Sequence, residues 1–166
     1  MRSATVVCVI ALLGAAACDT QANEEPVCRP GAPTTLMAES VPSASLVPCV
    51  REVPEGWSFQ SFTADESAAS FSLEQQDGGG SLTVSLQSSC PSPAPSSEGV
   101  TRAQTTRDDG RTTVWTTTFP GGCSVATLTL SETVTAAARR AARRALGTIA
   151  RAELAPTSIA VTHVGP

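Results

Sequence analysis

The chain has 166 residues, a formal net charge of −4, 41% hydrophobic residues and only 4% aromatics, and its 11 basic residues are all arginine. That length suffices for one domain with a real core, and the acidic balance argues against a general nucleic-acid partner. A single histidine, His163, and the lack of any Cys-x-x-Cys spacing argue against a zinc centre and leave one imidazole for any histidine-based triad.

Arg2 is the only charge before Asp19, and an apolar run from Ala4 to Ala17 separates them. The run is shorter than the roughly 20 apolar residues of a transmembrane helix. A basic start, an apolar middle and small residues at the end make residues 1–17 a secretory signal peptide. Two processing outcomes are open. A signal peptidase would cut after Ala15-Ala16-Ala17 and release a soluble chain beginning at Cys18. Alternatively, the segment resembles a bacterial lipobox, with Ala15 where Leu is usual; Cys18 is then lipidated and becomes the N-terminus. Cysteine parity favours the lipid. Of the six cysteines, Cys8 leaves with the signal, and an exported chain with five has one thiol without an internal partner. Lipidation of Cys18 leaves Cys28, Cys49, Cys90 and Cys123 for two disulfides in an oxidising compartment. The expected location is the outer face of the cell membrane, with the lipid at Cys18 as the membrane partner.

Residues 18–27 are polar, acidic and without periodicity, and read as a flexible tether. A single extracytoplasmic domain is expected over 28–166. Pro30, Pro33, Pro42 and Pro48 break the segment from Cys28 to Cys49, leaving room for a short helix around Thr35–Ser40. In Val53-Pro54-Glu55-Gly56-Trp57 a turn is expected, with Pro54 second and Gly56 at its end.

Strand patterns follow. Trp57 and Phe59 share a face of WSFQSF, Phe71 and Leu73 share one of ASFSLEQ, and Leu82, Val84 and Leu86 share one of SLTVSLQS. Such alternation marks strands buried on one face only. Asp77-Gly78-Gly79-Gly80 joins the last two as a hairpin. Residues 91–100 form a Pro/Ser-rich loop. TRAQTTR and RTTVWTTTF flank a second hairpin signal at Asp108-Asp109-Gly110. Their threonines suit extended chain, because branching at Cβ restricts the side chain. SVATLTL is a further strand, with Ala126, Leu128 and Leu130 on one face. Ser131 is read as the cap of a long helix, ETVTAAARRAARRALGTIARAEL, that Pro156 stops. At about 100° per residue, Val134, Ala138, Ala141, Ala142, Ala145, Leu146 and Ile149 fall on one side, and Arg139, Arg140, Arg143, Arg144 and Arg151 on the other. SIAVTHV is read as a short edge strand. The whole predicts an α+β fold: an antiparallel sheet of about six short strands, stapled by disulfides, with one C-terminal amphipathic helix packed on a face.

In Phe119-Pro120-Gly121-Gly122 a type II turn is expected, with Pro120 fixing φ and Gly121 at positive φ. FPGGC, VPSASLVPC (residues 41–49) and PEGW (54–57) together resemble the motifs of a family of uncharacterised exported proteins of actinobacteria, which carry VPSA-x-x-VPC, then P-x-GW, then a sheet ending in FPGGC. The resemblance spans residues 35–125. It implies an envelope location and carries no activity with it.

Four cysteines allow three pairings. Cys28–Cys49 with Cys90–Cys123 is preferred, because the first pair staples the Pro-rich segment. In a simple meander TRAQTTR stands between the strands that lead to Cys90 and Cys123 and separates them by about 10 Å, so the loop at 91–100 or the Gly121-Gly122 turn must fold inward to bring the pair within reach; alternatively, SVATLTL lies beside SLTVSLQS and brings Cys123 close directly. The rival is Cys49–Cys90 with Cys28–Cys123. No catalytic set, metal site or cofactor motif emerges. The arginine face (Arg139, Arg140, Arg143 and Arg144) is a candidate partner or membrane surface, although alanine on the opposite side supplies little energy for insertion. The expected role is a lipid-anchored binding or accessory module of the bacterial cell envelope, not an enzyme, with an unknown envelope protein as partner. The alternative is a carrier of a small apolar or lipid ligand, in a cavity between the helix and Trp57, Phe59, Phe71, Leu82 and Val84.

Overall fold

A computed structural model describes residues 24–90, 99–106, 110–132 and 135–154. In chain order the elements are α1 (Ala32–Ser40), β1 (Leu46–Val50), β2 (Trp57–Ala64), β3 (Ala68–Gln75), β4 (Gly80–Gln87), β5 (Thr101–Thr106), β6 (Thr112–Phe119), β7 (Gly122–Leu130), α2 (Ala136–Ala145), β8 (Leu146–Ala150) and α3 (Arg151–Leu154). Six strands form one antiparallel sheet in the order β2-β3-β4-β7-β6-β5, and β1 pairs with β8 in a separate two-stranded ribbon. The α+β class is as the sequence indicates.

Alternation decides which face of the large sheet is buried. Phe71 and Leu73 of β3 lie opposite Val84 and Leu82 of β4, and Leu82 and Val84 lie opposite Leu128 and Ala126 of β7. All six are 5% exposed or less. The other face of β2 and β3 carries hydroxyls, and Ser61–Ser72 and Thr63–Ser70 join as hydrogen-bonded pairs at 2.7 and 2.8 Å. β2 needs one irregularity to obey the pattern. A bulge between Phe59 and Ser61 shifts the register, so that Phe59 faces Leu73 and Phe62 faces Phe71. Phe62 is thereby 1% exposed. Simple alternation from Trp57 and Phe59 would turn it to solvent.

The cover over this face differs from the single long helix expected. α1 packs on β2 and β3, and β1 crosses β4. The short helix of the Pro-rich segment is therefore a main lid of the core, with Met37 fully buried. Pro33 fits because it stands in the first turn, where no backbone N–H is needed. The helix read over residues 132–154 is interrupted. Thr135, rather than Ser131, caps α2 by accepting from the Ala138 N–H at 3.1 Å. The helix ends at Ala145, and LGTIA becomes β8. Gly147 is a poor helix former, and Thr148 and Ile149 are branched at Cβ. The decisive factor is tertiary: β1 finds its partner here, with Cys49 opposite Gly147. A Cβ on Gly147 would lie 2.7 Å from Cys28 Sγ, so glycine lets the ribbon close over the disulfide.

The disulfides are Cys28–Cys49 and Cys90–Cys123, with Cα atoms 4.9 and 5.7 Å apart. β7 lies beside β4, which places Cys123 opposite Gln87 and close to Cys90. The chain joins the fold earlier than composition suggests. Val27 bridges Val50, and the Pro26 carbonyl accepts from the Val50 N–H at 2.8 Å, so the last residues assigned to the tether are docked. The edge strand expected in SIAVTHV and the Asp108-Asp109 hairpin tip lie outside the described residues, although β5 and β6 do pair antiparallel as that hairpin requires.

Candidate functional site

The inner face of the large sheet changes character across its width. At β3 and β4 it carries Phe71, Leu73, Leu82 and Leu86, and these are covered without a gap. At β7 and β6, beyond the fully buried Leu128, the inward positions include Ser124, Ala126 and Thr117, with Trp115 opposite Ala126. Small residues there leave the ribbon and α2 standing off the sheet. The result is a half-open cavity of about 350 Å³. Its floor is Val84, Ala126, Ser124, Thr117 and Trp115; its roof is Pro48, Leu146, Gly147 and Thr148. Pockets for small ligands run from about 300 to 1,000 Å³, so this one suits a small molecule.

Three arginines complete the lining. Arg51 follows β1, Arg102 projects from the edge strand β5, and Arg143 from α2. The backbone sets two of them. The Arg51 N–H donates to the Ala145 carbonyl at 2.7 Å, which fixes Arg51 beside the end of α2. Arg102 is opposite Thr117 in the β5–β6 register and so shares the inner face. Among the described residues that line the cavity there is no Asp or Glu, and none of the three guanidiniums has a carboxylate partner among the described residues. Gln104 lies opposite Trp115, and its Oε1 accepts from the indole Nε1–H at 3.0 Å, which fixes the ring as the floor. The cavity can therefore hold an apolar group on Trp115, Val84 and Ala126 while offering positive charge from the three exposed arginines and hydroxyls from its lining.

The cavity is not where aromatic patterning put it. Of Trp57, Phe59, Phe71, Leu82 and Val84, only Val84 lines it. Phe71 and Leu82 are packed against the core, and Trp57 and Phe59 lie at its edge. The arginine face also divides. Arg140, Arg143 and Arg144 are exposed, Arg139 is half-buried and engaged, and Arg143 alone reaches the cavity. Arg151 leaves that face altogether and donates to the carbonyls of Ala38 in α1 and of Val41, the residue that caps its C-terminus. Cys18 and His163 lie outside the described residues. Arg51, Arg102 and Trp115 were not singled out by the sequence. The available signal was the run of small inward residues, Ser124 and Ala126, opposite a tryptophan.

A second relationship joins the two most pointed sequence motifs. The Ser43 hydroxyl of VPSA donates to the Gly121 carbonyl of FPGGC at 2.6 Å, and the Ser45 N–H donates to the Pro120 carbonyl at 3.0 Å. Gly121 has the expected positive φ, +80°. PEGW also forms its turn, one position displaced: the Pro54 carbonyl accepts from the Trp57 N–H, so Pro54 opens the turn and Gly56 takes the positive φ, +76°.

No protein-family model, no curated protein and no solved structure matches the chain. The two disulfides are consistent with an extracytoplasmic location.

Proposed function

We propose that this chain is a lipid-anchored extracytoplasmic binding module that takes a small molecule into the cavity between the large sheet and the β1–β8 ribbon. The observation that carries the reading is the cavity itself: a filled core under α1 adjoins an open space whose floor is one oriented tryptophan and small side chains. The anchor is supported by parity. Cys28, Cys49, Cys90 and Cys123 are all consumed in disulfides, so Cys18 has no internal partner once Cys8 is removed with the leader. Kinship with the exported actinobacterial family is part of the same proposal, and the docking of VPSA onto FPGG supports it by giving both motifs one structural purpose.

Two measurements test it. Intact mass of the membrane-extracted protein should exceed the bare chain from Cys18 by an acyl modification, and Cys18→Ser should release the protein from the membrane fraction; a bare-chain mass rejects the anchor. For the cavity, Trp57→Phe leaves Trp115 as the only tryptophan. Its emission should respond to 1-octanol or octanoate in the Cys18→Ser background, and Ala126→Leu, which fills the floor, should abolish the response. No response to either compound rejects a binding cavity.

A further inference from the structure

Resting on that reading, the structure assigns the cavity to a small amphiphilic anion: a carboxylate or phosphate held by Arg51, Arg102 and Arg143, with an apolar body on Trp115. Charge is the first argument. The chain is net acidic, at −4, yet this cavity is lined by three arginines and by no carboxylate among the described residues. The arginines come from three separate segments, one after β1, one in β5 and one in α2, so a single charged helix face does not explain their convergence. All three are solvent-exposed and share the lining of one cavity, so an anion that enters it meets positive charge contributed by three segments of the chain. Arginine suits the task because its planar fork binds carboxylate or phosphate through two parallel hydrogen bonds.

The second argument is the other half of the lining. Val84, Ala126, Leu146 and the Trp115 ring are apolar, and Gln104 already occupies the indole N–H. The ring can therefore offer its face to an apolar group without leaving a polar atom unsatisfied. Thr117, Ser124 and Thr148 also line the cavity, and their hydroxyls can bond the remaining oxygens of the anion. A bare inorganic anion would leave the apolar floor unused, and an uncharged chain would leave the arginines uncompensated.

The test compares four soluble probes of graded chemistry against the Cys18→Ser chain: octanoate, octyl phosphate, 1-octanol and inorganic phosphate. Isothermal titration on that chain runs beside Trp115 emission in the Trp57→Phe form, so a folding defect in the latter leaves a readout. Octanoate or octyl phosphate should bind at least tenfold more tightly than 1-octanol and than inorganic phosphate. Arg102→Gln/Arg143→Gln should bring the anions down to the affinity of 1-octanol without changing 1-octanol itself. Vesicles of phosphatidylglycerol form a further arm: the same arginine-dependent Trp115 response to vesicles assigns the anion to a membrane lipid, and its restriction to the monomeric probes assigns it to a free ligand. Equal binding of octanoate and 1-octanol, unaffected by the arginine substitutions, overturns the anionic assignment and leaves the cavity standing. Inorganic phosphate binding as tightly as octyl phosphate overturns the amphiphile. Failure of every probe overturns both the assignment and the binding function beneath it.

Discussion

Arg151 donates from its guanidinium to the Val41 carbonyl at 3.2 Å, across 110 residues of sequence, and the same nitrogen also donates to the Ala38 carbonyl. Those carbonyls end α1, where the helix has no further N–H groups to satisfy them. Positive charge at a helix C-terminus also meets the negative end of the helix dipole. The backbone N–H of Arg151 donates to the Ser45 carbonyl at 3.0 Å, so one residue ties the end of β8 to both α1 and the start of β1.

Arg151→Met keeps the aliphatic stem and removes the donors. It should destabilise the protein by about 2 kcal/mol, the range for hydrogen bonds to a charged group. Arg140 and Arg144 are exposed, and the double change to Gln should cost less than about 1 kcal/mol. Urea unfolding of both variants checks the contrast. Equal losses would show that Arg151 is only another surface arginine.

Gly121 and Gly56 both have positive φ, +80° and +76°, but differ in their surroundings. A Cβ on Gly56 meets nothing within 4 Å, whereas one on Gly121 would fall on the Ser43 carbonyl. Gly56→Ala should therefore lose only the left-handed penalty of about 1 kcal/mol. Gly121→Ala should lose at least about 2 kcal/mol, because the VPSA segment must also move. Thermal unfolding of the pair separates backbone strain from the docking contact.

Asp65 accepts from the backbone N–H groups of Ser67, at 2.9 Å, and Ala68, at 2.8 Å, in the β2–β3 turn. These bonds favour the charged carboxylate and hold its pKa below the ordinary aspartate value of 3.8. Because the folded value is the lower one, the stabilisation is complete well above pH 3.8 and is lost as the pH falls through the depressed value. The difference in urea midpoint between the parent and Asp65→Ala should be constant near neutrality and shrink on acidification below 3.8. A difference that does not narrow there removes the carboxylate from the turn.

The Cys28–Cys49 bridge spans a sequence separation of 21. Closing a loop of that size restricts the unfolded chain, and Cys28→Ala/Cys49→Ala should lower stability by about 3 kcal/mol. Peptide mapping under non-reducing conditions should recover Cys28 with Cys49 and Cys90 with Cys123. A peptide linking Cys49 to Cys90 would contradict the strand order, because that order places Cys123 beside the end of β4.

What residue pattern determines by itself is local and periodic. Alternation in ASFSLEQ and SLTVSLQS was legible because a strand shows every second residue to one face, and those faces are the buried ones. Gly121 and Asp77-Gly78 declared their turns because few residues accept positive φ. Prolines limited the Cys28–Cys49 segment to a short helix, although nothing in its composition said that α1 would roof the core. Tertiary structure decided the rest. LGTIA continues the apolar stripe of a helix, yet it is a strand, since pairing with β1 satisfies the backbone of both segments and Gly147 admits the disulfide. The β2 bulge that buries Phe62 depends on the partner strand and leaves no mark on periodicity. The candidate site was the least legible. Arg51, Arg102, Arg143 and Trp115 come from four separate segments of the chain, and only the strand order and the stand-off of the ribbon from Ser124 and Ala126 bring them to one cavity. Convergence of that kind is a property of packing between distant segments, which no window of local sequence contains.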